Sequence, residues 1–92
     1  MTGTPLNSAA SAGHAATVDL LLEAGADPDA VQRGGWTPLH SAAHNGDART
    51  VELLLAGGAH PVAIDDEGRS VADMAAESGD DATIATIARL RR

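Results

Sequence analysis

An all-α solenoid of three stacked helix-turn-helix repeats is the fold that these 92 residues predict. Three observations carry the prediction. Shifted by 33 residues, the chain lies on itself, and 17 of the 28 residues from 4 to 31 are identical to their counterparts. A leucine triplet followed by Gly-Ala recurs in register: Leu20-Leu21-Leu22 before Gly25-Ala26, and Leu53-Leu54-Leu55 before Gly58-Ala59. Thr-Pro-Leu opens both copies, at Thr4-Pro5-Leu6 and Thr37-Pro38-Leu39. A weaker third copy follows, in which Gly68, Ala75-Ala76, Gly79-Asp80 and Thr83 fall on Gly35, Ala42-Ala43, Gly46-Asp47 and Thr50. A fixed period of this size marks an array of small units, each unable to bury its apolar face alone.

Each element follows from local rules. Thr4 suits an N-cap and Pro5 the first helical position, so a helix is expected from Pro5 to about Ala12, ended by Gly13. Its small residues Ala9, Ala10 and Ala12 allow close helix approach, while Asn7, Ser8 and Ser11 make it polar, as befits an exposed N-terminal end or a chain cut from a longer array. A second helix, about Ala16 to Ala24, carries Val18, Leu21 and Leu22 as one apolar stripe, widened by Leu20. From Ala26 to Trp36 the chain is polar and broken by Pro28, Gly34 and Gly35, and so forms a turn. The central unit repeats the plan. Thr37 caps, Pro38 starts, Leu39, Ala42 and Ala43 face inward, and Gly46 turns. A helix over about Ala48 to Ala56 follows, with Val51, Leu54 and Leu55 as its stripe. Ala59 to Arg69 is the second turn, with Asp65-Asp66-Glu67 as an acidic tip. The last unit has helices near Val71 to Ser78 and Ala82 to Arg91, with Met74 as the largest apolar side chain of the first and Ile84 with Ile87 as the apolar pair of the second. Arg89, Arg91 and Arg92 complement the final helix dipole.

Composition narrows the function classes. A chain of this length is one small domain, residues 1–92, with repeats at approximately 2–34, 35–67 and 68–92. The formal charge of −7 argues against nucleic acid and anionic membrane as partners, since both need a basic footprint. With no cysteine there is no disulfide and no thiolate chemistry. The start, Met1-Thr2-Gly3-Thr4-Pro5, has neither the basic nor the apolar region of a signal peptide. A cytoplasmic location is therefore expected. All six basic residues are arginine and alanine abounds, a composition that suggests a GC-rich bacterial genome.

The 33-residue period and the Thr37-Pro38-Leu39-His40 turn, followed by Ala42, resemble the ankyrin repeat. The match covers nearly the whole chain. It departs in the outer copies: Asn7 replaces the histidine in the first, and Ser70-Val71-Ala72-Asp73 replaces the tetrapeptide in the third, which also lacks the leucine triplet. Terminal capping repeats are expected to be atypical. The resemblance implies that the turns are β-turn fingers, that His40 bonds backbone to tie repeats together, and that finger tips and first helices line a concave binding face. By position that face carries Arg33, Trp36, His44 and Asn45 from the centre, Asp66, Glu67, Arg69, Glu77 and Ser78 from the third repeat, and Ser11 from the first.

Candidate chemistry is sparse. His40 and His44, four residues apart, have a spacing that can share a metal, and a metal-assisted hydrolase is the enzymatic rival reading. No Glu or Asp stands in an HExxH relation to them. Asp27 with Asp29, Asp65-Asp66 and Asp80-Asp81 fall in turns or at helix starts, where carboxylates cap N–H groups. Trp36, the only residue of the Phe/Trp/Tyr class, stands just before the Thr37 cap, where a solenoid core does not require it. Tryptophan is enriched at interface hot spots. The bland alternative has it packing on its own finger over Arg33 or Arg69. The expected function is a non-catalytic protein-binding module centred on Trp36, with no cofactor and no metal. The alternative is weak self-association through the open outer face of the first repeat.

Overall fold

A computed structural model describes residues 4–90. Six α-helices follow in order: α1 (Pro5–Ala12), α2 (Ala15–Glu23), α3 (Pro38–His44), α4 (Ala48–Ala56), α5 (Val71–Ser78) and α6 (Asp81–Leu90), with a 3-10 turn at Arg33–Gly35. Each odd helix pairs with the next even one. The odd helices stack as one row, α1 on α3 on α5, and the even helices as a second, α2 on α4 on α6. This is the all-α solenoid of three helix pairs.

The helix starts are built by side chains. Thr4 Oγ1 accepts from Asn7 N at 3.1 Å. Thr37 with His40, and Ser70 with Asp73, bond each other's backbone reciprocally, satisfying two N–H groups at each start. Asp47 accepts both the N–H and the hydroxyl of Thr50, and Asp80 does the same for Thr83 one repeat on. The start of α2 is the exception. His14 stands where Asp47 and Asp80 would be, and it makes no capping bond. Gly13 and Gly79 close α1 and α5 with φ of 76° and 73°, in the left-handed region where a Cβ would strain the turn.

The core is two columns of side chains repeated along the stack. Leu6, Ala10 and Val18 are fully buried, as are Leu39, Ala43 and Val51 one repeat later. Their counterparts Ala72, Ala76 and Ile84 are only half-buried or exposed. These positions therefore face the following repeat. Pro5, Ser8 and Thr17 are exposed, whereas Pro38, Ser41 and Thr50, and then Val71, Met74 and Thr83, are buried. These positions face the preceding repeat.

Two expectations about the stripes are corrected by this arrangement. Leu20 does not widen the buried stripe of α2 but stands 66% exposed, because it belongs to the column that faces a preceding repeat. Its counterpart Leu53 meets Leu22 in a shared cleft between α4 and α2. Ile84 does not share the core with Ile87. It faces forward, and α6 buries Thr83, Thr86 and Ile87 instead. Helix bounds shift by one residue at α2 and at the start of α6. Arg91 and Arg92 lie outside the described residues.

Candidate functional site

Two short fingers connect the repeats. Gln32 N donates to Trp36 O at 3.0 Å, and 33 residues on, Asp65 N donates to Arg69 O at 2.9 Å, so both fingers close by the same bond. The fingers also join each other, through Asp66 N to Gly34 O at 2.8 Å. Gly35 makes that approach possible: a Cβ there would stand 2.7 Å from Asp66 Oδ1 and 3.2 Å from Asp66 N, and its φ is 74°.

Asp65 is not part of an acidic tip. It is buried, and its Oδ1 accepts from Glu67 N at 2.9 Å and Arg69 N at 2.8 Å, while Oδ2 takes Arg69 Nε at 2.8 Å. Burial pushes this carboxyl up. The Arg69 backbone N–H, the guanidinium and the Glu67 N–H together outweigh burial and hold it below the usual carboxylate range. The same bond raises the Arg69 guanidinium. A carboxylate so used organises a turn: three of its acceptor sites are taken by the finger itself.

Fixed this way, Arg69 lies over the Trp36 ring, 5.4 Å from its centroid. From α3, His40 stands 5.0 Å from the ring, tilted by 31°, and His44 6.3 Å from it, edge-on. The indole N–H donates to Ser41 Oγ at 2.6 Å. Trp36 is thus half-buried and anchored, with one arginine across it.

Around it is a groove of about 470 Å³. Arg33, Trp36, His44, Asp66, Glu67, Arg69 and Glu77 line it, so the structure brings together seven of the ten residues expected on this face, and Ser11 of α1 is not among them. Asn45 and Ser78 are not in the lining. Asn45 Nδ2 donates to Ser11 O at 2.8 Å, tying α3 to α1. Ser78 Oγ donates to Ala75 O and accepts from Asp80 N. Gln32, Gly34, Asp65 and Met74 complete the lining and are not among the residues the sequence placed on this face. For Asp65, the signal was Gly68-Arg69 close behind it, the pattern of a side chain closing its own turn.

His40 is fully buried, and both of its ring nitrogens are engaged. Nδ1 accepts from Thr37 N at 3.2 Å, which leaves Nε2 to donate to Arg69 O at 3.0 Å. Helix start and second finger are thereby joined through one ring. The pair His40–His44 cannot share a metal without breaking this link. Among the described residues no group of three or more His, Asp and Glu side chains is placed to hold a metal.

Stacked helix pairs with fingers folded over one row of helices define an α-solenoid of the interaction-scaffold class. The family model for ankyrin repeats in many copies matches residues 6–55. This chain belongs to the ankyrin repeat family. The crystal structure of the human ASB11 ankyrin repeat domain superposes with a TM-score of 0.91 at 25% sequence identity, over 95% of this chain. The chain spans 39% of that structure's length. No curated protein matches the chain in sequence. Ankyrin repeats generally serve as protein–protein interaction modules, and the fold is typically a non-catalytic scaffold. Among the described residues no helix is long and apolar enough to cross a membrane.

Proposed function

We propose that this chain binds a protein partner through the groove between the two fingers and α3, with Trp36 at its centre, and has no catalytic role. The observation that carries the reading is the convergence of exposed Arg33, Asp66, Glu67 and Glu77 on a tryptophan whose ring is already held in place. An anchored aromatic loses little side-chain freedom on binding, and surrounding charges select a partner and its orientation. The partner is a protein rather than nucleic acid or membrane, because the acidic chain repels both. Asn45 and Ser78 support this face by fixing α3 to α1 and closing α5. A cytoplasmic, bacterial setting fits the composition.

The test is affinity capture from native extract with the parent, with Arg33→Ala/Trp36→Ala, and with Leu20→Glu, each checked for fold by circular dichroism. A partner retained by the parent and by Leu20→Glu, and lost by the groove variant, is the expected result. Equal capture by all three would overturn the groove reading.

The second reading, self-association through the outer face of the first repeat, is favoured by a separate observation, the 66% exposure of Leu20.

A further inference from the structure

We infer that Asn45-Gly46 is a self-modification site: the Asn45 side chain converts to aspartate or isoaspartate when α1 leaves α3, and the conversion weakens the return of α1. This is independent of the groove and of self-association.

Chemistry selects this pair. Glycine has no Cβ to obstruct its own nitrogen, so an asparagine before it closes on that nitrogen with the least hindrance. The Gly46 nitrogen, giving up its proton to solvent base, attacks Asn45 Cγ. A C–N bond forms, the Cγ–Nδ2 bond breaks, and ammonia leaves carrying the displaced proton. Water then opens the cyclic imide at either carbonyl, giving aspartate or isoaspartate. No other reactant is needed. The chain holds two asparagines, and the other, Asn7, precedes Ser8 and is buried within α1.

The folded chain blocks the first step in three ways. Asn45 has ψ of −7°, which turns the Gly46 nitrogen away from the Asn45 side chain, whereas ring closure needs ψ in the extended range. Gly46 N is engaged, donating to Ala43 O at 3.1 Å. Asn45 Nδ2, the leaving nitrogen, donates to Ser11 O of α1 at 2.8 Å. Departure of α1 removes that last bond and frees the exposed Asn45 side chain.

The first repeat is the weakly tied one. Asn7 Oδ1 is buried with no hydrogen-bond partner, where His40 uses both ring nitrogens one repeat later. The partner helix α2 starts without a side-chain cap. An unpaired buried oxygen and an uncapped helix both lower the cost of local opening.

Conversion has consequences on both sides of the turn. An acid at position 45 has no N–H to give to Ser11 O. It also places a carboxylate at the C-terminal end of α3, where the helix dipole disfavours it. Isoaspartate adds a methylene to the backbone beside Gly46, where even a Cβ would stand 3.0 Å from Asp80 Cβ and 3.4 Å from Ser78 Cβ.

Peptide mapping with isoaspartate detection, on the purified chain held at pH 8, tests this. The chain unfolded in guanidinium chloride should convert at Asn45 more than tenfold faster than the folded chain. Ser8→Gly, at an exposed position of α1, should raise the folded rate by about twofold or more. Ala85→Gly, at an exposed position of α6, should raise it less, although Ala→Gly costs a helix more than Ser→Gly. Neither variant touches the core, so both keep the fold. Hydrogen exchange on Asn45→Asp should show α1 losing protection by a larger factor than α6. Equal rates for the folded and unfolded chain would overturn the inference. So would no conversion in either, equal acceleration by the two glycine variants, or unchanged protection of α1 in Asn45→Asp.

Discussion

Leu20 and Leu53 occupy the same place in successive repeats, and so do Thr17 and Thr50. In the central repeat Leu53 packs against α2 and Thr50 is fully buried, whereas in the first repeat Leu20 and Thr17 are exposed. Position 14 differs in kind: histidine leaves the start of α2 without a side-chain cap, where Asp47 closes α4. The two repeats share most of their residues over the 28 compared. The difference teaches that burial in a solenoid belongs to the interface between units, not to the unit. One amino acid contributes core energy or none according to whether a neighbour stands on that side.

The sharpest way to break this comparison is a leucine deletion in each repeat. Leu54 is fully buried, so Leu54→Ala should cost about 2–5 kcal/mol, enough to unfold so small an array at moderate denaturant. Leu20→Ala should change stability by no more than about 0.5 kcal/mol. Urea titrations followed by circular dichroism at low protein concentration measure both. Similar losses for the two variants would mean that Leu20 is as well covered as Leu54, and that the outer face of the first repeat is not open.

Much of this was legible in the sequence, and the failures share a cause. The period located the helices, and the bounds of α1, α4 and α5 follow from Thr4-Pro5, Ala48 and Val71 together with the glycines after them. Gly-Ala stops and Thr-Pro starts are local chemistry, readable without a neighbour. Leu20 and Ile84 misled because stripe counting asks which residues are apolar, while their exposure depends on what stands beyond the end of the stack. For the groove, most of its lining was legible from the finger and first-helix positions. In the sequence Asp65 looks like part of a tip because its neighbours Asp66 and Glu67 are acidic too. Only the fold of the turn shows its carboxylate directed inward at Glu67 N and Arg69. His40 illustrates the opposite case, where the bond to Arg69 O follows the tie that the resemblance implies.

A smaller effect sharpens the comparison at the helix starts. Asp47→Ala removes the acceptor for Thr50 N and should cost about 0.5–2 kcal/mol. His14→Ala should cost almost nothing, since His14 caps nothing. His14→Asp would give α2 the cap its successors have and should stabilise the chain by about 0.5–1 kcal/mol. Thermal melts of the three variants decide the matter. A loss from His14→Ala matching that from Asp47→Ala would show that the first repeat is capped by other means.

The smallest effect is expected at low pH, and it separates the third repeat from the first. The Thr83 hydroxyl and then the Thr83 N–H donate to Asp80 and hold its carboxyl below the usual range. Its folded value therefore lies below the unfolded value of about 3.9. The sign follows: the stabilisation is present above about pH 4 and is lost as pH falls through the folded value, when the carboxylate takes up its proton. Asp65 carries the same sign in the second finger, against the opposing push of its burial. Repeat one, with His14 at the matching position, has no such carboxylate. The urea midpoint of Asp80→Asn should thus lie below that of the parent at pH 7, and the gap should close toward pH 2. Hydrogen exchange at pH 3 should show α6 losing protection relative to its value at pH 7 by a larger factor than α1. A gap independent of pH would mean that the Asp80–Thr83 pair acts through shape alone, and acid would then not distinguish the two ends of the stack.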